Sequence, residues 1–171
     1  NIIRKDGKRS HSGYGASGHY QMIKTEDICK LPVKELADKD CALFLWVTSA
    51  YLFDAEKVMK AWGFRYTNLG FVCIKFSINT KRIKKRMGYY TRAIPEICLL
   101  GIKGRMADKV KDKSVSSVVL WPLQEHSRKP NEVRERIVKL FGDLPRIELF
   151  ARKPWEGWDC WGNEVTNNIK L

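Results

Sequence analysis

No run of apolar residues in this chain approaches the roughly 18 needed for a helical membrane span. Cysteine is scarce and unpatterned. Cys29, Cys41, Cys73, Cys98 and Cys160 are odd in number and form no Cys-x-x-Cys pair, so neither a disulfide framework nor a zinc site is expected. Cys41, Cys73 and Cys98 lie in apolar, strand-like runs, where a free thiol behaves as a small hydrophobe. This usage suits a reducing compartment, and a cytoplasmic location is expected. His11, His19 and His126 stand apart in no metal-ligand spacing, so no metal is expected. No Gly-x-Gly-x-x-Gly follows a strand-like run and no Walker loop occurs, which argues against the usual dinucleotide fingerprint and against ATP or GTP use. The scarce charge is acidic: 19 acidic residues face 32 basic ones, for a net +13. A surplus of that size on one domain points to a polyanionic partner, nucleic acid first.

What is present reads as one α/β domain over residues 1–171. Residues 1–19 are rich in Gly, Ser, Lys and Arg and read as a loop. Thr25 to Lys30 reads as a short helix capped by Thr25. Cys41 to Val47 is a continuous apolar run, as expected of a strand buried on both faces. Thr48 or Ser49 then caps a helix whose apolar stripe is Tyr51, Leu52, Ala55, Val58, Met59 and Trp62, and Gly63 ends it. Leu69 to Phe76, Glu96 to Ile102, Ser117 to Leu120 and Arg146 to Ala151 read as further strands. Pro130 opens a helix that runs to about Phe141, with Val133, Ile137, Leu140 and Phe141 on its apolar face. Strands alternating with helices predict a mixed, mostly parallel sheet with helices on both faces.

Two stretches carry candidate chemistry. The loop 76–93 and its stem hold Lys75, Lys81, Arg82, Lys84, Lys85, Arg86 and Arg92, no acidic residue, and Tyr89 and Tyr90. Basic charge interleaved with aromatics suits phosphate neutralisation plus base stacking; a solvated loop is the plainer reading. At the other end, the run Ile147 to Ala151 ends in Arg152, and a Gly-Trp turn then leads to Asn163 and Glu164. Ligands of open α/β sheets sit beyond the carboxyl ends of strands. There Arg152 offers a rigid donor fork, and Asn163 and Glu164 offer groups for a purine edge and ribose hydroxyls. The plainer reading is a salt-bridged strand end followed by a surface turn.

Leu149-Phe150-Ala151-Arg152 followed by Gly157-Trp158-Asp159-Cys160-Trp161-Gly162-Asn163-Glu164 resembles the closing signature of one methyltransferase family. It is the family of the mRNA adenosine methyltransferase subunits and the phage and bacterial DNA N6-adenine methyltransferases. Further pieces match in order: His19-Tyr20 before Glu26-Asp27-Ile28, Leu43-Phe44-Leu45-Trp46-Val47-Thr48, and Trp62-Gly63-Phe64. Then come Gly88-Tyr89-Tyr90-Thr91-Arg92 with Glu96, Leu100-Gly101 with Lys103-Gly104, and Ser127-Arg128-Lys129-Pro130 with Glu132. The resemblance runs from about residue 14 to about residue 165. The family's catalytic signature, Asp-Pro-Pro-Trp, is nowhere in the sequence. In the family it ends a strand lying just before the segment that begins here at Asn1, so the expectation is a fragment whose first strand and tetrad lie upstream. A chain that has lost the motif and serves as a non-catalytic nucleic-acid-binding partner is the alternative.

The resemblance implies a Rossmann-like methyltransferase fold and transfer of a methyl group from S-adenosylmethionine to the exocyclic amine of adenine. In the family the tetrad's Asp and a Pro carbonyl accept hydrogen bonds from that amine, leaving its lone pair available, and the base in a duplex is first flipped out. It implies Lys129, Phe150, Arg152, Asn163 and Glu164 as cofactor contacts, with Lys129 meeting the carboxylate of the methionine moiety and Ser127 helping to orient that loop. Tyr20 is implied near the target base, where a tyrosine packing a loop is equally natural. Lys81, Arg82, Lys84, Lys85, Arg86, Tyr89, Tyr90 and Arg92 are expected at the nucleic acid. DNA is expected over RNA, since the compact form is similar to phage and bacterial members. No membrane partner is expected, and an unpaired sheet edge leaves room for a homodimer or a heterodimer.

Overall fold

A computed structural model describes residues 23–84, 90–92, 95–122 and 129–171. Two short helices, α1 (Thr25–Cys29) and α2 (Val33–Leu36), precede strand β1 (Cys41–Val47). Helix α3 (Leu52–Ala61) leads to β2 (Arg65–Phe76), and β3 (Pro95–Lys103) and β4 (Val118–Pro122) follow. Helix α4 (Asn131–Phe141) then leads to β5 (Ile147–Leu149) and β6 (Asp159–Trp161).

The strands form two sheets, one of four strands in the order β1-β3-β2-β4 and one of two, β5-β6. β3 runs antiparallel to both β1 and β2, and only β4 is parallel to β2. The expectation of a mostly parallel sheet is therefore corrected for the four-stranded sheet. No helix occurs among the described residues between β2 and β3, and a connection without a helical crossover returns antiparallel. β5 and β6 do pair in parallel, with Leu149 opposite Trp161.

Alternation along β1 divides the core. Leu43, Leu45 and Val47 pack with Ala55, Val58, Met59 and Trp62 of the α3 side. Phe44 and Trp46 point the other way, onto the cluster of Phe71, Cys73, Cys98, Val119 and Val133, to which α4 contributes. Helices thus cover both faces, as the alternating pattern predicts. Cys73 and Cys98 are fully buried, and burial pushes their thiols up to about 11 and about 12, which keeps them protonated and inert.

Several local expectations shift. Residues Ser49–Tyr51 form a 3-10 turn before α3, and no side chain caps either helix that was expected to carry one. Tyr51 and Leu52, at the junction of that turn and α3, are exposed and are not core. Gly63 ends α3 with φ +82, the backbone region that glycine enters without strain. β2 starts four residues earlier than expected, at Arg65. β6 lies where a turn was expected.

β1 departs most informatively. All seven of its residues are half-buried rather than buried. Among the described residues, the strand pairs with β3 along one edge only, and β5 pairs with β6 along one edge only.

Candidate active site

Both unpaired strand edges face one cavity of about 790 Å³. Residues 40–46 line it from the β1 side and residues 144–150 from the β5 side. Val133, Ile137 and Phe141 of α4 bound it from one face, and Val33, Trp62 and Phe64 from the other. It is a slot between two open edges, roofed and floored by helices. A pocket of several hundred Å³ with a few convergent polar groups is the usual form of a small-molecule site.

Several of those polar groups stand at the carboxyl ends of the two parallel strands. Beyond the carboxyl end of β5 come Phe150 and Arg152, and beyond that of β6 comes Glu164; all three line the slot. Because β5 and β6 are parallel, their carboxyl ends point the same way, which is where α/β sheets bind ligands. Arg152 donates from Nε to both Glu164 oxygens, at 2.9 and 3.1 Å, and both side chains stay about half exposed. The salt-bridged strand end thus stands on the cavity wall as a paired donor and acceptor. Phe150 has φ +58, a conformation costly outside glycine and concentrated at functional sites. Its ring meets Trp161 edge-on at 5.4 Å. Asn163 is exposed and does not line the cavity.

Gly162 makes this geometry possible. Ala151 N donates to Trp161 O at 2.9 Å, and a Cβ on Gly162 would run into the Ala151 carbonyl oxygen and lie 2.8 Å from its nitrogen. Gly162→Ala is therefore expected to cost about 1–3 kcal/mol, the range for overpacking against atoms that cannot move away. The loss should show as a lower urea midpoint together with weaker ligand binding, since the loop carrying Glu164 must shift away from Arg152.

Lys129 enters the site from the residues preceding α4. Its Nζ is 2.8 Å from Glu96 Oε2 and 5.0 Å from the centre of the Trp46 ring. Glu96 Oε1 in turn accepts from the buried Lys75 Nζ at 2.7 Å. Burial alone would raise the Glu96 carboxyl, but Lys129 and Lys75 outweigh it and hold it below the usual glutamate range. Sequence neighbours place Lys75 with the nucleic-acid loop and give no hint of this cluster; in the fold Lys75 belongs to the interior. Its signal was the β2–β3 pairing: Cys73 sits opposite Glu96, so Lys75, two residues on, shares that face diagonally.

The basic loop begins as a tight turn. Phe76 bridges Ile83, Ser77 N donates to Arg82 O at 2.9 Å, and Lys84 N donates to Lys75 O at 2.7 Å. Lys81 has φ +55. Lys81, Arg82, Lys84, Tyr90 and Arg92 are all exposed. Lys85, Arg86, Tyr89, Tyr20 and Ser127 lie outside the described residues. Among the described residues no group of His, Cys, Asp and Glu is placed to hold a metal, and no helix is long and apolar enough to cross a membrane. Buried polar atoms without a partner among them are Trp121 Nε1 and Arg146 Nη1; Arg146 lies on the slot's β5 side.

Fold and cavity together define a class of mixed α/β domain with a cavity at the carboxyl ends of two parallel strands and a basic turn beside its sheet. Within that class, residues 5–164 match the MT-A70 family, and the chain belongs to it. It is 33% identical over 153 residues to the type II methyltransferase M.MunI of Mycoplasma sp., covering 90% of this chain and 63% of that protein. It is 28% identical over 155 residues to an N(6)-adenosine-methyltransferase MT-A70-like protein of Arabidopsis thaliana, covering 89% of this chain and 22% of that one. It is 28% identical over 164 residues to the human N(6)-adenine-specific methyltransferase METTL4, covering 87% and 34%. The chain thus spans between about a fifth and two thirds of the length of these relatives.

Proposed function

We propose that the chain forms most of the catalytic domain of an S-adenosylmethionine-dependent methyltransferase acting on the exocyclic N6 amine of adenine in nucleic acid, DNA in preference to RNA. The observation that carries this reading is the convergence of Lys129, Phe150, Arg152 and Glu164 on one cavity at the carboxyl ends of β5 and β6. The donor set fits the cofactor. Lys129 suits its carboxylate, Glu164 its ribose hydroxyls, Phe150 its apolar ring, and Arg152 holds Glu164 in place. Bound there, S-adenosylmethionine supplies an electrophilic methyl group; the protein's part is to orient the reactants and exclude water. Asn163 stands away from the slot, and its contact would require the loop after β6 to close.

In the same reading the slot receives a strand. Two open edges flank a gap with both faces already covered, which suits an extended segment apolar on both sides. The strand that ends in Asp-Pro-Pro-Trp in the family would join the two sheets into one continuous, Rossmann-like sheet and deliver the tetrad to the cofactor end. The alternative, a non-catalytic nucleic-acid-binding partner, draws on the absence of the tetrad from these 171 residues.

The deciding assay is methyl transfer from labelled S-adenosylmethionine to DNA and to RNA, by the protein as its gene encodes it, with the product nucleoside identified by mass spectrometry. N6-methyladenine supports the enzyme and names its polymer; nucleic acid bound without product supports the partner. For the surface at 81–92, replacing Lys81, Arg82 and Lys84 by Gln is expected to flatten the dependence of log affinity on log salt by up to about 3, one counterion for each phosphate that is no longer neutralised. An unchanged slope would remove those residues from the interface.

A further inference from the structure

Among the described residues, the ion cluster behind the cavity sets two ammonium groups against one carboxylate. Exposure rises along it, from 8% for the Lys75 side chain through 15% for Glu96 to 36% for Lys129. Only Lys129 lines the cavity; Lys75 and Glu96 do not. Lys75 therefore cannot touch a ligand there. Its place is nonetheless fixed. It lies on β2, two residues along from Cys73, which faces Glu96 across the β2–β3 ladder, and its carbonyl accepts from Lys84 at the start of the basic turn.

We propose that Lys75 is a positioning residue that sets how strongly Lys129 holds an anionic group, acting through the Glu96 carboxylate the two lysines share. A carboxylate facing Lys129 alone would neutralise it and leave little attraction for a second anion. Divided between two ammoniums, the same carboxylate orients Lys129 beside Trp46 without neutralising both lysines. Their charge is buried at its source and exposed only at the Lys129 tip, so it acts in a medium where a unit charge is felt strongly. The ligand it selects is one that brings a single carboxylate to the Lys129 tip, and the inference rests on the cofactor reading given above.

The test compares two ligands that share an adenosine and a thioether: S-adenosylhomocysteine, which has an amino-acid carboxylate, and 5′-methylthioadenosine, which has none. Affinities are measured by calorimetry on the protein as its gene encodes it. Lys75→Met is expected to weaken S-adenosylhomocysteine about tenfold, the order for one unit charge felt across several ångströms of protein, and to leave 5′-methylthioadenosine unchanged. Lys75→Gln, which can still donate to Glu96, should show the same selective loss, and Lys75→Arg should restore binding. Equal losses for both ligands mean a structural role and overturn the proposal, as does no loss for either. Lys129→Met separates the two ideas. If it selectively weakens S-adenosylhomocysteine while Lys75→Met does not, the coupling through Glu96 fails and the cofactor reading stands. If Lys129→Met affects neither ligand, the assignment of Lys129 falls, and the role of Lys75 with it.

Discussion

On the proposed reading, adding the family's Asp-Pro-Pro-Trp strand ahead of Asn1 is expected to raise the melting temperature by about 10 °C. Among the described residues, the seven residues of β1 leave one row of backbone groups without a strand partner, and β5 leaves another. A strand inserted between them makes hydrogen bonds on both sides, each worth about 1 kcal/mol net. It also covers Leu43 and Leu45 on one face and Phe44 and Trp46 on the other, which now stand half-buried. Against this stands the ordering of each added residue, about 1–2 kcal/mol for its backbone. The expected balance is a gain of about 3–5 kcal/mol, which for a domain of this length corresponds to roughly 2–4 °C per kcal/mol. Melting curves of the two forms, with hydrogen exchange at the amides of Cys41–Val47, check it. Equal melting temperatures and equally unprotected β1 amides would show that the slot takes no strand. A stabilisation that instead grows with protein concentration in the shorter form would show the edge pairing with a second copy.

Arg152→Ala is expected to weaken S-adenosylmethionine binding by about 1–3 kcal/mol, the range for a lost charged hydrogen bond. The structure adds a reason beyond direct contact. Arg152 holds both oxygens of Glu164, so its removal leaves a carboxylate on the cavity wall unpaired and free to turn toward water. Two features limit the effect on stability: both side chains are about half exposed, and exposed ion pairs contribute little to folding, about 0–1 kcal/mol. The expected signature is thus a loss of affinity with a nearly unchanged melting temperature. Unchanged affinity would remove Arg152 from the site; a large fall in melting temperature would make it a structural residue. Arg152→Lys should recover only part of the loss, because an ammonium cannot offer the planar fork that engages a carboxylate.

The elements that sequence pattern located well are those whose burial is set locally. Cys41–Val47 is an unbroken apolar run and became β1 at those bounds. The Val133–Phe141 stripe became the inner face of α4, preceded by Pro130. β6 was missed because a strand of three residues, Asp159–Trp161, is too short for alternation to register; its signal is the close approach of Gly162 to Ala151. Tyr51 and Leu52 fit the helical stripe by spacing but are exposed, since Tyr51 falls in the 3-10 turn and Leu52 only opens the helix. Lys75 was grouped with its basic neighbours in sequence, whereas strand alternation turns it inward toward Glu96.

By itself, the sequence determined the family, the α/β class, the basic surplus, and several of the residue types that line the cavity, because these rest on motifs and on burial periodicities confined to a few consecutive residues. The tertiary structure decided the strand directions, the pairing of Arg152 with Glu164, the cluster of Lys75, Glu96 and Lys129, and the slot between β1 and β5. Each of these joins residues far apart along the chain, and the cross-strand register and sheet order that bring them together follow from how the whole chain packs, which no local window of sequence contains.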